Sequence, residues 1–261
     1  MGEIKLSIVI AVKDEVQNIP PLFKEISTVY LNLKDSGFST ELIIVDDDSN
    51  DGTREIVTQK MKELISMGMG VKPIFRTGHS GTVSAQIAGA IASDGDYVVI
   101  MDGDLQHNPE LIIPMSMLIS DRVDLVVASR HVPGASNNLS FFRALISNIA
   151  CLLAQAIIKN SRICTDPLSG FFICRRDLVL SLKPYERQNK LLLYILAKYK
   201  NLTIYEIPYL MKARMFGKSK ITHSLRKTIF RYISELLIYR KIEQDEINMD
   251  LDAYNPKEMR Y

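Results

Sequence analysis

Cysteine is scarce, tryptophan is absent, and no uncharged apolar run approaches the length of a membrane span. The three cysteines, Cys151, Cys164 and Cys174, lack metal-knuckle or C-x-x-C spacing. So odd and sparse a set suits reduced thiols in a cytosol. A spanning helix needs about 18 or more consecutive apolar residues, so no transmembrane helix is expected. The N-terminus lacks a signal-peptide layout, and no export is expected either. No G-x-G-x-x-G follows the first apolar run and no G-x-x-x-x-G-K-[ST] occurs, which disfavours a dinucleotide-binding dehydrogenase and a P-loop NTPase. Internal repeats and low-complexity linkers are missing too.

What is present centres on residues 96–110, DYVVIMDGDLQHNPE. The apolar run Tyr97 to Met101 predicts a buried strand, and Asn108-Pro109-Glu110 predicts a helix start. Between them Asp102, Gly103 and Asp104 make a turn at the strand's C-terminal end, where open α/β sheets bind ligands. Two carboxylates followed by the Gln106 amide oxygen are hard donors of the kind Mg²⁺ or Mn²⁺ takes beside a substrate phosphate. The plain alternative for a lone D-x-D is an acidic helix cap.

A second acidic turn, Asp46-Asp47-Asp48-Ser49, follows the apolar run Leu42–Val45. One of these four is expected to cap the helix that begins near Gly52. Mutual repulsion makes a purely structural role for all the acids less favourable, and carboxylates placed there can accept hydrogen bonds from ribose or base. Apolar runs at Lys5–Val12, Val71–Phe75 and Asp124–Ala128 alternate with helical patterns, which predicts an α/β fold with a doubly wound, mostly parallel sheet.

Charge is distributed unevenly. Residues 1–128 carry 10 Lys/Arg against 19 Asp/Glu, residues 129–241 carry 20 against 5, and residues 242–261 carry 2 against 6. The middle block calls for an anionic partner or a solvated face. It contains no nucleic-acid recognition motif and its cations are scattered, so no nucleic acid is expected.

The order of motifs carries a family resemblance. V-D-D-D-S-N-D-G-T, then M-D-G-D-L-Q-H-N-P-E, Ser129-Arg130-His131, the Phe142–Ser147 segment, Asp166-Pro167-Leu168-Ser169-Gly170 and Arg214-Met215-Phe216-Gly217-Lys218-Ser219-Lys220 together resemble the family 2 inverting glycosyltransferases of the GT-A fold. Within them the chain looks most like the dolichyl-phosphate mannose synthases and related polyprenyl-phosphate hexose synthases. The likeness spans about residues 4–235. It implies that Asp102, Asp104 and Gln106 hold Mg²⁺ or Mn²⁺. It implies a donor site of Ala11, Lys13, Glu15, Asp47, Asp102, Gly103, Arg214 and Lys220 for a nucleotide sugar, GDP-mannose foremost. Catalysis would fall to Asp104, Arg130, Arg143, Arg214 and Asp166. In place of the family's P-x-Y-N-E turn this chain has Ala11-Val12-Lys13-Asp14-Glu15, and without tryptophan the Q-x-x-R-W motif of processive synthases is excluded.

The acceptor half also speaks through its residues. Over Phe141–Asn160 the apolar side chains form a wide helical stripe, with Arg143, Ser147, Gln155 and Lys159 on one opposing line and Cys151 between. Arg143 and Ser147, one turn apart, could share a phosphate that Arg130 completes. The other reading is a core helix with a charged outer face. A lipid phosphate acceptor needs no base, whereas a sugar hydroxyl needs one, and Asp166 is the candidate that the resemblance offers. Expected, then, is a metal-dependent transfer of a hexose to polyprenyl or dolichyl phosphate. The alternatives are a hydroxyl acceptor on a glycolipid or glycan, or a UDP-sugar donor. The expected organisation is one catalytic domain, 1–221, with a nucleotide-sugar half (1–128) and an acceptor half (129–221). An amphipathic helix (222–242) and a disordered acidic tail (243–261) follow it. That helix predicts either peripheral attachment to the cytoplasmic face of a membrane, with room for a membrane partner subunit, or docking on the protein's own sheet.

Overall fold

The structure, a computed structural model, describes residues 4–78, 81–137, 141–183, 188–216 and 225–253, and only the backbone at 136–137, 141–143, 225–227 and 247–253. In chain order it forms β1 (Lys5–Val12), α1 (Ile19–Asp35), β2 (Ser39–Asp47), α2 (Thr53–Ser66), β3 (Gly70–Arg76), α3 (Thr82–Ala92) and β4 (Tyr97–Asp102). Next come α4 (Ile112–Ser116), β5 (Leu125–Ser129), β6 (Ser136–Asn137), α5 (Phe141–Ile157), β7 (Phe172–Arg175) and α6 (Arg176–Leu180). α7 (Leu191–Lys198), β8 (Ile204–Pro208), β9 (Leu210–Met211) and α8 (Leu225–Ala253) complete it.

Seven strands make one sheet in the order β3-β2-β1-β4-β7-β5-β8. Its pairs are parallel except those of β7, which runs antiparallel to both β4 and β5. The strands are near-continuous apolar runs because both faces are covered. One core packs α1, α2 and α4 against the sheet, and the other packs α3, α5, α6, α7 and α8. The alternating pattern is thus borne out as a doubly wound, mostly parallel sheet. A division at residue 128 is not visible in it, since β7, from beyond that point, lies between two strands from before it or adjoining it.

Register positions the acidic turns. Ala11 lies opposite Val45 on one side and Asp102 on the other, and Val12 lies opposite Asp46. The C-terminal ends of β2, β1 and β4 therefore bring Asp46–Asp48, Lys13–Glu15 and Asp102–Asp104 into one row. In the D-x-D turn Gly103 touches β1 so closely that a Cβ would sit 2.5 Å from Val12 Cγ1. Leu105 takes φ 61°, an uncommon conformation for a bulky residue. That bend lets the Gln106 amide donate to Asp104 Oδ1 at 3.1 Å.

One helix decides between two readings, and another differs from expectation. In α5 the apolar stripe faces outward: Leu152 is 65% exposed, and Leu145, Ile146, Ile149 and Leu153 are exposed as well. The middle of the polar line turns inward, with Cys151 buried and Gln155 Nε2 donating to Cys164 O at 2.9 Å, while Lys159 is exposed. The reading as a core helix with a charged outer face is therefore reversed. α8 does not stop at 242 but continues to Ala253, so the first part of the expected disordered tail is helical. The reason is that its acids have work inside the fold. Glu243 is buried and accepts the Asn160 amide at 2.7 Å, and Glu246 pairs with Lys198 at 3.4 Å. Residues 254–261 lie outside the described residues.

Glu235 fastens α8 to the start of α7. Its Oε1 accepts the amides of Asn189 (2.6 Å) and Lys190 (3.1 Å) and the Tyr239 hydroxyl (2.9 Å). Glu235→Ala removes the acceptor shared by the Asn189 and Lys190 amides and leaves the buried Tyr239 hydroxyl only its 3.3 Å bond to Lys190 O, and it is expected to cost about 1–3 kcal/mol. Urea denaturation would show this as a lower midpoint at unchanged slope. Among the described residues no helix is long and apolar enough to cross a membrane.

Candidate active site

The row of strand ends is held together by one arginine. Arg214 Nη2 donates to Asp104 Oδ2 at 2.9 Å and to Glu15 Oε1 at 3.2 Å, joining the D-x-D turn to the turn after β1. Glu15 is buried, with its other oxygen accepting Asn18 Nδ2 at 2.5 Å and its amide donating to Thr53 Oγ1 at 2.9 Å. Asn18, the N-cap residue of α1, makes no side-chain capping bond and holds Glu15 instead. Asp104 is also buried, and Asp102 stands beside it. Burial pushes the Asp102 carboxyl above its usual range, with the Asp104 charge adding to the shift and His107 opposing it. Two carboxylates that repel each other, with a carboxamide two residues on, form a donor set that fits a hard divalent cation. Gln106 Nε2 donates to Lys212 O at 3.3 Å, so only its Oε1 can serve as the third ligand.

Asp47, expected at the nucleoside, is buried and takes the Gly81 amide at 2.6 Å, and Arg76 Nη1 lies 3.0 Å from its Oδ1. Asp46 Oδ1 accepts Arg54 Nε at 2.6 Å and the Ser49 amide at 3.1 Å. Two arginines thus offset the repulsion within the acidic run. None of the four caps α2: its N-cap is Gly52, without a side-chain capping bond, and Asp51 Oδ1 accepts the Thr53 amide at 3.0 Å just before it. Ala11 and Lys13 stand partly covered at the end of β1. Lys220 lies outside the described residues.

The acceptor side is built on a second arginine. Arg130 Nε and Nη2 each donate to Asp166 at 2.7 Å, a bidentate pair, and the Arg130 amide adds a third bond at 3.0 Å. Asp166 is completely buried. Burial disfavours both charges, but the Arg130 bonds outweigh it and hold the Asp166 carboxyl below the usual range. The Asp166 hydrogen bonds likewise keep the guanidinium strongly basic despite its burial. On α5, Cys151 Sγ reaches Asp166 Oδ1 at 3.8 Å, so Ser147, one turn earlier, lies along the same line of the helix. Arg143 occupies the turn before that, and its side chain is outside the described residues.

Several residues here carried no sequence signal. His107 accepts the Asp102 amide on Nδ1 at 3.1 Å and stacks on Phe171 with centroids 5.3 Å apart. A Cβ on Gly170 would lie 3.2 Å from His107 and 3.3 Å from Asp102. Lys190 opens α7 and lies within electrostatic reach of Arg130, Asp102 and Asp166. Burial and then Arg130 push its ammonium pKa below the ordinary lysine value. It sits 24 residues beyond Asp166 with no motif around it, and only the packing of α7 brings it here.

Known proteins resemble this chain in sequence and in fold. Among curated proteins, the dolichol-phosphate mannosyltransferase of Pyrococcus furiosus is 36% identical over 237 residues, covering 90% of this chain and 63% of that protein. The chain therefore spans less than two thirds of that relative's length. The dolichol-phosphate mannosyltransferase of Saccharomyces cerevisiae is 30% identical over 244 residues, 89% of this chain and 86% of that one. Among solved structures, glucosyl-3-phosphoglycerate synthase from Mycobacterium tuberculosis, solved with phosphoglyceric acid, superposes with TM-score 0.64. It shares 20% identity, with 92% of this chain and 81% of that one covered. A mannosyltransferase from Pyrobaculum calidifontis solved with GDP-Man and Mn²⁺ gives TM-score 0.56 at 14% identity, over 94% and 70%. These likenesses bear out the GT-A fold. The model of glycosyl transferase family 2 matches residues 7–181, well over half of the chain, and on that match the protein belongs to glycosyl transferase family 2.

Proposed function

We propose that this glycosyltransferase moves a mannosyl group from GDP-mannose to a polyprenyl or dolichyl phosphate. The observation that carries this is the reversed helix α5. Its polar line meets the Arg130–Asp166 pair while its apolar stripe faces outward. An acceptor with an anionic head and a hydrocarbon chain matches both faces at once. Two further facts support the reading: the curated relatives above are named dolichol-phosphate mannosyltransferases, and the block around Arg130 is basic.

A phosphate monoester is anionic near neutral pH, so its oxygen can attack the sugar carbon in line without a general base. The carbon's bond to the donor diphosphate breaks, GDP departs with the electron pair, and the sugar carbon is inverted. Asp166 takes two of the five guanidinium donors of Arg130, and the others are those we assign to the acceptor phosphate, with Ser147 and Arg143. Arg214 and Lys220 are assigned to the donor diphosphate, and Glu15, Asp47 and the backbone at Ala11, Lys13 and Gly103 to the nucleoside. Mg²⁺ or Mn²⁺ held by Asp102, Asp104 and Gln106 would neutralise charge gained by the leaving diphosphate. The hydroxyl-acceptor reading asks Asp166 to act as a base. Its complete burial and its pairing with Arg130 make it a poor one.

Exposed Ile229, Phe230, Ile233 and Leu237 on α8 continue the apolar surface of α5, and Tyr232 OH joins the two helices through Ala150 O at 2.6 Å. We assign this surface to peripheral contact with the cytoplasmic leaflet, alone or with a membrane partner subunit.

The test offers labelled GDP-mannose, GDP-glucose, UDP-glucose and UDP-N-acetylglucosamine with Mn²⁺ and dolichyl phosphate in anionic liposomes. The expected product is a labelled lipid, released by mild acid, from GDP-mannose. An acid-stable product would point to a hydroxyl acceptor, and label from a UDP-sugar would overturn the donor. Phe230→Asp is expected to slow transfer to liposomal acceptor about tenfold or more, yet leave transfer to a short water-soluble polyprenyl phosphate unchanged.

A further inference from the structure

Three ligand types meet beside Arg130. Cys151 Sγ lies 3.6 Å from His131 Nε2 and 3.8 Å from Asp166 Oδ1, and His131 Nε2 lies 3.9 Å from Asp166 Oδ1. Zinc bonds of about 2.3 Å to sulfur and about 2.0–2.2 Å to nitrogen and oxygen put tetrahedral ligand atoms roughly 3.3–3.7 Å apart. The observed triangle is wider by only a few tenths of an ångström, and its three atoms come from separate elements: the end of β5, the middle of α5 and the loop before β7. Among the described residues this is the one group of three histidine, cysteine or acidic side chains close enough to share an ion.

We propose that His131, Cys151 and Asp166 form a site for a thiophilic divalent cation of the zinc class, separate from the carboxylates of Asp102 and Asp104. The donor sets differ in kind. A thiolate and an imidazole select zinc over magnesium, whereas the D-x-D turn offers oxygens alone. Burial and the neighbouring Asp166 charge keep the Cys151 thiol protonated in the empty site, pushed up to about 12. As the sulfur–metal bond forms, the S–H proton leaves to solvent, and no group is oxidised or reduced. Thiolate and carboxylate together set two negative charges against the ion and the Arg130 guanidinium. Asp166 Oδ1 keeps its second lone pair for Arg130 Nη2, at 2.7 Å. His131 is the open side of the triangle, its side chain 22% exposed, and gives the ion a way in from solvent.

The test saturates metal-free protein with Mg²⁺ and then titrates Co²⁺, followed by Zn²⁺ against a chromophoric chelator. The expected result is one Co²⁺ per chain with a thiolate-to-cobalt charge-transfer band, which Zn²⁺ abolishes. Second-sphere changes cost metal sites about 10–100-fold, so loss of a direct ligand is expected to cost at least about 100-fold. Cys151→Ser should remove the band, and His131→Gln should keep it at far weaker affinity. No band in the wild-type protein, or an unchanged band in Cys151→Ser, would overturn the proposal. So would equal zinc affinity in wild type and His131→Gln, a substitution at a partly exposed side chain.

Discussion

Asp104→Asn is expected to lower the proposed mannosyl transfer by about a thousandfold while the protein stays folded. The side chain's Oδ2 accepts Arg214 and its Oδ1 accepts the Gln106 amide, so it fixes both the basic loop and the turn carrying the proposed metal ligands. An amide of the same shape keeps the Gln106 contact but contributes no charge to a cation. Arg214 retains Glu15, which is why the expected loss is in rate and not in fold. Single-turnover measurement at saturating Mn²⁺, with a thermal melt alongside, separates the two. Turnover within tenfold of the wild type would remove the cation from this turn.

Arg130→Met is expected to cost about 3–5 kcal/mol of stability and to abolish transfer. Asp166 is completely buried, and the variant leaves its charge without the bidentate partner. The doubly apolar variant Arg130→Met/Asp166→Leu should regain most of the stability, because no buried charge remains, but none of the activity. The acid side supplies a second readout. In the wild type the depressed Asp166 pKa contributes stability that is whole above about pH 4 and lost as pH falls through the lower folded value. In Arg130→Met burial is opposed only by the backbone amide of residue 130 and by His131, the carboxyl takes its proton at higher pH, and the wild-type advantage narrows as both proteins are acidified. Urea midpoints from pH 3 to 8 would show this. A constant difference across that range would mean that the pair is not what stabilises Asp166.

The strand ends were legible because a buried parallel strand is a short apolar run and its ligand turn must follow it. Asp102, Asp104 and Glu15 fall in one row for that reason alone. Arg214 was reachable only through the family likeness, as nothing within its own loop ties it to residues some 110 and 199 positions earlier. Which face of α5 is buried stayed open in the sequence because the hydrophobic pattern shows that two faces differ but not which one the protein covers. The helix predicted to start at Asn108-Pro109-Glu110 is short and ends at Ser116, two residues past Pro114.

By itself the sequence determined the alternation of strand and helix, the two acidic turns and the split between an acidic and a basic half, all of them local consequences of side-chain polarity and backbone preference. The tertiary structure alone decided that β7 crosses back between β4 and β5, that Lys190 and His131 stand beside Arg130 and Asp166, and that the apolar stripe of α5 is left outside. Each of those depends on which surfaces find a partner when the whole chain packs. Such pairings join residues far apart in the chain, and no local pattern encodes them.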